Sequence, residues 1–226
     1  MKKLIDGFEH IRYRPLSFTD KEISERAQSF YQLLDKRRSI RSFSGTPVEK
    51  QVITSIIKTA ATAPSGANKQ PWSFCAISNP DIKKAIRVAA EEEEKKNYAQ
   101  RMSETWLKDL EPFATNWQKP FLETAPWLIV VFKKTHELDD NNQQHKNYYV
   151  TESVGIACGM LITAIHNAGL VTLTHTPSPM NFLAKILERP TNEKPFLLLP
   201  VGFPDHDTYV PNITRKPEKE ILNYYE

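Results

Sequence analysis

Arg37-Arg38-Ser39-Ile40-Arg41 is the stretch from which the fold of this chain is read. It follows a helical pattern and puts three guanidinium groups and one hydroxyl within five residues. A guanidinium grips a phosphate through two parallel hydrogen bonds, and several together cage a dianion. A second stretch, Ala63-Pro64-Ser65-Gly66-Ala67, is a loop of small residues where backbone can approach a flat ligand closely. Together they point to a phosphate-bearing ligand. The arginines alone would read as a salt-bridged, solvated helix end, so the decision rests on what flanks them.

Working outward, hydrophobic periodicity predicts helices interspersed with a few strands. Thr19-Asp20-Lys21-Glu22 fits a capping box, and Ile23, Ala27, Phe30 and Leu34 follow at helical spacing to an end near Lys36. Thr46-Pro47-Val48-Glu49 fits a second box with proline at the first helical position, and Val52, Ile53, Ile56 and Ile57 form an apolar face to about Ala61. Residues 72–77 read as a strand. Asn79-Pro80 opens a helix carrying Ile82, Ile86 and Ala89. From Ala99 to Trp117 the chain is aromatic and charged at once, an excursion from the main domain. Residues 127–132 are a continuous apolar run, the pattern of a buried strand, and 135–146 read as a polar loop.

A long helix is predicted over 148–167, rich in small residues (Gly155, Ala157, Gly159, Ala164) and closed by Gly169. Small residues let another helix come close, in the centre of the fold or at a dimer interface. Strands at 170–174 and 196–201 follow. The tail after Gly202, rich in proline and charge, is expected to wrap over a surface or a partner subunit. With no repeat and no linker in view, 1–226 reads as a single domain.

Composition narrows the function. A net charge of +3, evenly spread, argues against nucleic acid as a partner. The six histidines form no constellation with zinc-ligand spacing, so no metal is expected. Cys75 and Cys158 lie in apolar segments and read as core residues of a reducing compartment. No signal peptide or membrane-spanning run is visible, and a cytoplasmic protein without membrane association is expected.

The order of these pieces resembles the flavin-dependent nitroreductase superfamily. The resemblance rests on Arg37 to Arg41, on Ala63 to Ala67 with Gln70-Pro71-Trp72 behind it, on Asn167-Ala168-Gly169-Leu170, and on Leu199-Pro200-Val201-Gly202-Phe203-Pro204. It covers the chain from about Phe30 onward. It implies an α+β fold, a mostly antiparallel sheet flanked by helices, in an intertwined homodimer with FMN at the subunit interface. Within the superfamily the chain is most similar to the branch that dehalogenates halotyrosines. Glu91-Glu92-Glu93-Glu94 with Asn97-Tyr98, Thr115-Asn116-Trp117-Gln118-Lys119, Thr172-Leu173-Thr174-His175-Thr176-Pro177 and Arg215-Lys216-Pro217 carry that likeness. Membrane-anchored members have an N-terminal apolar segment that these residues do not contain.

The resemblance assigns roles. Arg37, Arg38, Ser39 and Arg41 would hold the phosphate and the electron-rich edge of FMN, with Arg215 reaching in from the tail. Pro64 and Ser65 would line the ring. Thr174, His175 and Thr176 would lie beside it, the Thr176 hydroxyl on flavin N5 favouring one-electron steps. Glu94 and Tyr98, four apart, share a helix face. With Lys119 they would clamp the ammonium and carboxylate of a free amino acid, a demand expected to be met only by a zwitterion. Glu91, Glu92 and Glu93 read as a solvated face. The Ala67 amide would meet the substrate phenolate, and residues 91–119 would close as a lid. The function implied is reductive dehalogenation of iodo-, bromo- or chlorotyrosine to tyrosine and halide, fed by NAD(P)H or a separate reductase. A general NAD(P)H-dependent nitroreductase or quinone reductase is the alternative enzyme. A flavin- or halotyrosine-binding protein without catalysis is the other alternative.

Overall fold

The computed structural model describes residues 2–141 and 143–226. They fall into two compact units, Met1–Lys36 and Arg37–Glu226. In the first, β1 (Lys2–Ile5) and β2 (Phe8–Ile11) form an antiparallel hairpin. Its turn residues Asp6 and Gly7 sit at φ 50° and 83°, the conformation that Asp-Gly favours in two-residue hairpins. That dipeptide was the overlooked signal in the polar N-terminus. Helix α1 (Asp20–Asp35) starts as predicted: the Thr19 hydroxyl accepts the Glu22 N–H at 3.3 Å, and the Glu22 carboxylate accepts the Thr19 N–H at 2.8 Å. Its apolar stripe is not buried; Ile23 and Phe30 remain exposed.

The second unit contains α2 (Lys50–Ala60), β3 (Trp72–Ile77), α3 (Pro80–Lys96), α4 (Glu104–Leu110), α5 (Phe121–Thr124) and β4 (Trp127–Lys134). β5 (His136–Leu138), β6 (Gln144–Lys146), α6 (Val150–Asn167), β7 (Val171–Thr172), α7 (Asn181–Ile186), β8 (Glu193–Gly202) and α8 (Glu218–Ile221) complete it. The main sheet has the order β3-β4-β8-β7 and is antiparallel throughout. The α+β expectation therefore holds.

Both faces of this sheet are covered, which explains why its central strands read as unbroken apolar runs rather than alternations. Side chains alternate across a strand. Ile129 and Val131 of β4 join Leu197 and Leu199 of β8 in a core with α2 and α6, through Ile53, Ile56, Ala157 and Leu161. Leu128, Val130 and Phe132 join Leu198 in a second core with α3, α5 and α7, through Ile86, Leu122 and Leu183.

Three local expectations are corrected. The second capping box does not form, and α2 begins at Lys50 behind an uncapped Glu49. The Thr46 N–H goes back to the Ser44 hydroxyl, and the Val48 carbonyl accepts the Trp127 indole at 2.8 Å, so neither is available to a first helical turn. The polar loop at 135–146 contains the β5–β6 hairpin; Asn142 lies outside the described residues. The strand at 170–174 shrinks to Val171–Thr172, and beyond it only His175 bridges to Leu198.

This edge positions the arginines. Ser39 bridges Thr172 in parallel, with the Ile40 N–H on the Thr172 carbonyl at 3.1 Å. The basic stretch is thereby held beside the segment 173–176. Among the described residues no helix is long and apolar enough to cross a membrane.

Candidate functional site

A cavity of about 540 Å³ opens where α3, the excursion after it and the segment following β7 meet. A single π turn, Asn97–Arg101, ends α3 and contributes Asn97, Tyr98 and Arg101 to the wall; such turns often occur at functional sites. Glu94 enters from the last turn of α3, Lys119 from the return of the excursion, and Thr174, His175 and Thr176 from the sheet edge.

The clamp residues are brought together. Glu94 and Lys119 are both buried, 3.6 Å apart. The Lys119 ammonium lies 5.5 Å above the Tyr98 ring, and it donates to the Thr115 hydroxyl at 3.3 Å and to the Asn116 carbonyl. Burial pushes the Glu94 carboxyl above its ordinary range and the Lys119 amine below its own, and their mutual attraction opposes both shifts. The expectation that only a zwitterion satisfies both groups is thus corrected. Each is the other's counter-ion within the chain.

The glutamate run is also more than a solvated face. Glu91 accepts from Arg87 at 2.8 Å and from the Lys119 N–H at 2.7 Å, which fixes the backbone of the clamp lysine. Glu93 binds Lys96 and Arg101, and Arg101 reaches on to the Ser178 carbonyl at 3.2 Å. Only Glu92 fits the solvated reading. Arg101, Asn97 and Phe121 line the cavity without having been foreseen. The spacing of Asn97 and Arg101, four apart behind Glu93, was the signal available.

A second cavity, of about 220 Å³, is lined by Arg37, Arg38, Ser39, Arg41 and Arg215. The Arg215 guanidinium donates to the Arg37 carbonyl at 3.1 Å, and Arg38 donates to the Pro211 carbonyl, so the tail is tied to the basic stretch. Arg41 lines both cavities and lies 5.7 Å over the Phe113 ring. Four convergent arginines suit a phosphate.

His175 is buried, edge-on to Phe121, and its Nε2 has no hydrogen-bond partner. Burial first, then the charges of Lys119 and Arg41, push its pKa down to about 3. The imidazole is therefore neutral, and the residue lines the cavity with one buried polar atom unpaired. Because the unfolded chain binds the proton near the ordinary histidine value, the fold loses stability as pH falls from about 6.5 toward 3, by roughly 1.4 kcal/mol per unit. Urea unfolding midpoints should fall across that window in the native protein, and less steeply in His175→Asn. Equal slopes would refute the buried-neutral assignment.

Thr174 and Thr176 are exposed between buried Leu173, His175 and Pro177, and both line the larger cavity. Pro64, Ser65 and Ala67 line neither cavity of their own chain. Their loop is exposed at Pro64 and Ala67, and Ala67 takes a left-handed φ of 48°.

A protein-family model described as the nitroreductase family matches residues 34–203. The chain belongs to the nitroreductase family. Its similarity is to a particular branch: an iodotyrosine deiodinase from Haliscomenobacter hydrossis is 54% identical over 215 residues, covering 95% of this chain and 97% of that one. The human iodotyrosine deiodinase 1 is 45% identical over 218 residues, 96% of this chain and 75% of the relative. A crystal structure of an oxidized iodotyrosine deiodinase bound to FMN and 3-iodo-L-tyrosine superimposes with a TM-score of 0.74 at 30% identity, covering 87% of this chain and 99% of that chain.

Proposed function

We propose that this chain is an FMN-dependent reductive dehalogenase of halotyrosines. The observation that carries the reading is the buried Glu94–Lys119 pair in the wall of a cavity that shares Arg41 with the four-arginine groove. A zwitterion can insert between such a pair and give each member a new counter-ion without leaving a net buried charge. The relatives named above support the same chemistry.

FMN, when bound, supplies the two electrons. With one proton they convert the carbon–halogen bond to carbon–hydrogen and release halide. Arg37, Arg38, Arg41 and Arg215, with the Ser39 hydroxyl, would hold the phosphate and the electron-rich ring edge. The orphaned His175 Nε2 and the exposed Thr174 and Thr176 in the cavity lining fit a polar ring placed against them. Thr176 is the hydroxyl we assign to flavin N5, where it holds a proton. Glu94 takes the substrate ammonium, Lys119 and Tyr98 its carboxylate, and the excursion up to Lys119 excludes water.

We further propose a homodimer, with 1–226 as one functional unit. Gly155, Ile156 and Gly159 leave a flat, exposed face on α6, the apolar stripe of α1 is exposed, and the Pro64–Ser65–Ala67 loop lines neither of the two cavities described above. A second copy would cover these surfaces and receive that loop, so that Pro64 and Ser65 line the ring and the Ala67 amide meets the phenolate. The unpaired thiols of Cys75 and Cys158 suit the cytoplasm. The electron donor is NAD(P)H or a reductase.

The deciding experiment is anaerobic titration of the reduced protein with iodotyrosine. Tyrosine and iodide should appear in equal amounts. Turnover of nitroaromatics with NAD(P)H but no affinity for iodotyrosine would replace this reading with a general nitroreductase, and tight binding without iodide release would replace it with a binding protein. Thr176→Ala should keep iodotyrosine affinity while nitroreductase activity rises relative to dehalogenation. An unchanged ratio of the two activities would remove Thr176 from its assigned role.

A further inference from the structure

The loop that carries Ala67 is held in an unusual conformation. Ala67, Asn68 and Gln70 all take left-handed backbone, at φ 48°, 54° and 49°. The loop's amides turn inward: Asn68 N–H to the Ser65 carbonyl at 3.0 Å, Lys69 N–H to the Gly66 carbonyl at 3.0 Å, and Gln70 N–H to the Ser65 hydroxyl at 2.8 Å. The Ala67 N–H lies outside this set. What backs the loop is the start of α6. A Cβ on Gly66 would stand 2.8 Å from Tyr149 Cδ2 and 3.2 Å from the Tyr148 carbonyl, so the Gly66 backbone lies directly on that ring and that peptide. Lys69 adds a second tie, its ammonium 5.9 Å over the Tyr148 ring.

Tyr149 is itself out of the ordinary. It occupies the N-cap of α6 at φ 48°, ψ 43°, where glycine or asparagine would sit more easily, and its side chain makes no cap hydrogen bond. The residue is 73% exposed within its own chain, so burial in that chain does not explain its presence there. Its contact with Gly66 does.

We infer that Tyr149 is a positioning residue of the site: its ring, aimed by a left-handed backbone, backs Gly66 and fixes the direction of the Ala67 amide. This rests on the reading above in one respect, that the Ala67 amide receives the substrate phenolate. An amide so held favours the ionised phenol over the neutral one, so affinity should rise as pH passes the ligand's phenol pKa.

The test uses the FMN-loaded protein and the variants Tyr149→Gly and Tyr149→Phe, with iodotyrosine as the probe. Glycine removes both the ring and the backbone strain. Tyr149→Gly should match or exceed the native urea midpoint, yet bind iodotyrosine roughly tenfold to a hundredfold more weakly, the loss of one hydrogen bond to a charged group. Its affinity should also lose most of its rise with pH, and Tyr149→Phe should restore affinity and pH profile alike. Amide hydrogen exchange over 63–70 should be faster in the glycine variant without any ligand. Native affinity and pH profile in Tyr149→Gly, or native exchange in the loop, would overturn the inference. So would a lowered midpoint with FMN loss, or failure of phenylalanine to rescue. If the native protein itself bound no iodotyrosine, the substrate reading would fail, while the exchange measurement would still decide the role of Tyr149.

Discussion

Glu94→Gln should bind iodotyrosine tens to thousands of times more weakly than the native protein while keeping its FMN. On the proposed reading the substrate would exchange one buried ion pair, Glu94–Lys119 at 3.6 Å, for two. With glutamine at 94 the carboxylate of the substrate still finds Lys119, but its ammonium is buried against a neutral amide. Truncating one partner of such a pair costs about 2–5 kcal/mol. The arginine groove does not include Glu94, so FMN should stay bound. Iodophenols offer neither charge; they should bind the native protein poorly and be indifferent to the substitution. Equilibrium titration with iodotyrosine and an iodophenol reads both arms. Native affinity in Glu94→Gln would mean that the pair is structural, and the case for a general nitroreductase would then be the stronger one.

Loss of Arg38 together with Arg215 should yield colourless protein. Each is a charge-assisted donor facing the same groove, and one such contact contributes about 1.5–3 kcal/mol. The two are also coupled. Arg38 donates to the Pro211 carbonyl, 173 residues away, and Arg215 donates to the Arg37 carbonyl, 178 residues away. Arg38→Ala would therefore remove the proposed phosphate contact and also loosen the tail that carries Arg215, so the double variant should be less than additive. Cutting the chain after Gly202 should approach the same loss, because it takes Arg215 away entirely. FMN dissociation constants for the single, double and truncated proteins test this. Retention of flavin at native affinity in the double variant would dismiss the groove as the phosphate site.

Much of this was legible in the order of residues because it depends on neighbours. The α1 capping box needs only Thr19 and Glu22, three positions apart, and it formed as read. The unbroken apolar runs at β4 and β8 announced strands covered on both faces. The shared helix face of Glu94 and Tyr98 followed from their spacing, whereas the binding roles expected of the arginine stretch, Glu94, Tyr98 and Lys119 came from the resemblance to the family. Where the first reading failed, another partner had taken the same atoms: the Thr46 N–H of the expected box is held by the Ser44 hydroxyl two residues back, and Glu91 is claimed by the Lys119 amide 28 residues away.

The chain's sequence by itself thus determined the period of its elements, the chemistry of its binding groups and the family they point to. Only the tertiary structure decided that Glu94 and Lys119 hold each other before any ligand arrives, that Arg215 closes the groove opened by Arg37, that Thr174 and Thr176 line the larger cavity, and that Tyr149 backs the Ala67 loop. The reason is range. A side chain's type and its neighbours set which local conformations and which bonds are available to it. Which of those bonds forms depends on the register of strands and the packing of helices far along the chain, where a buried polar group takes the partner that geometry brings within reach.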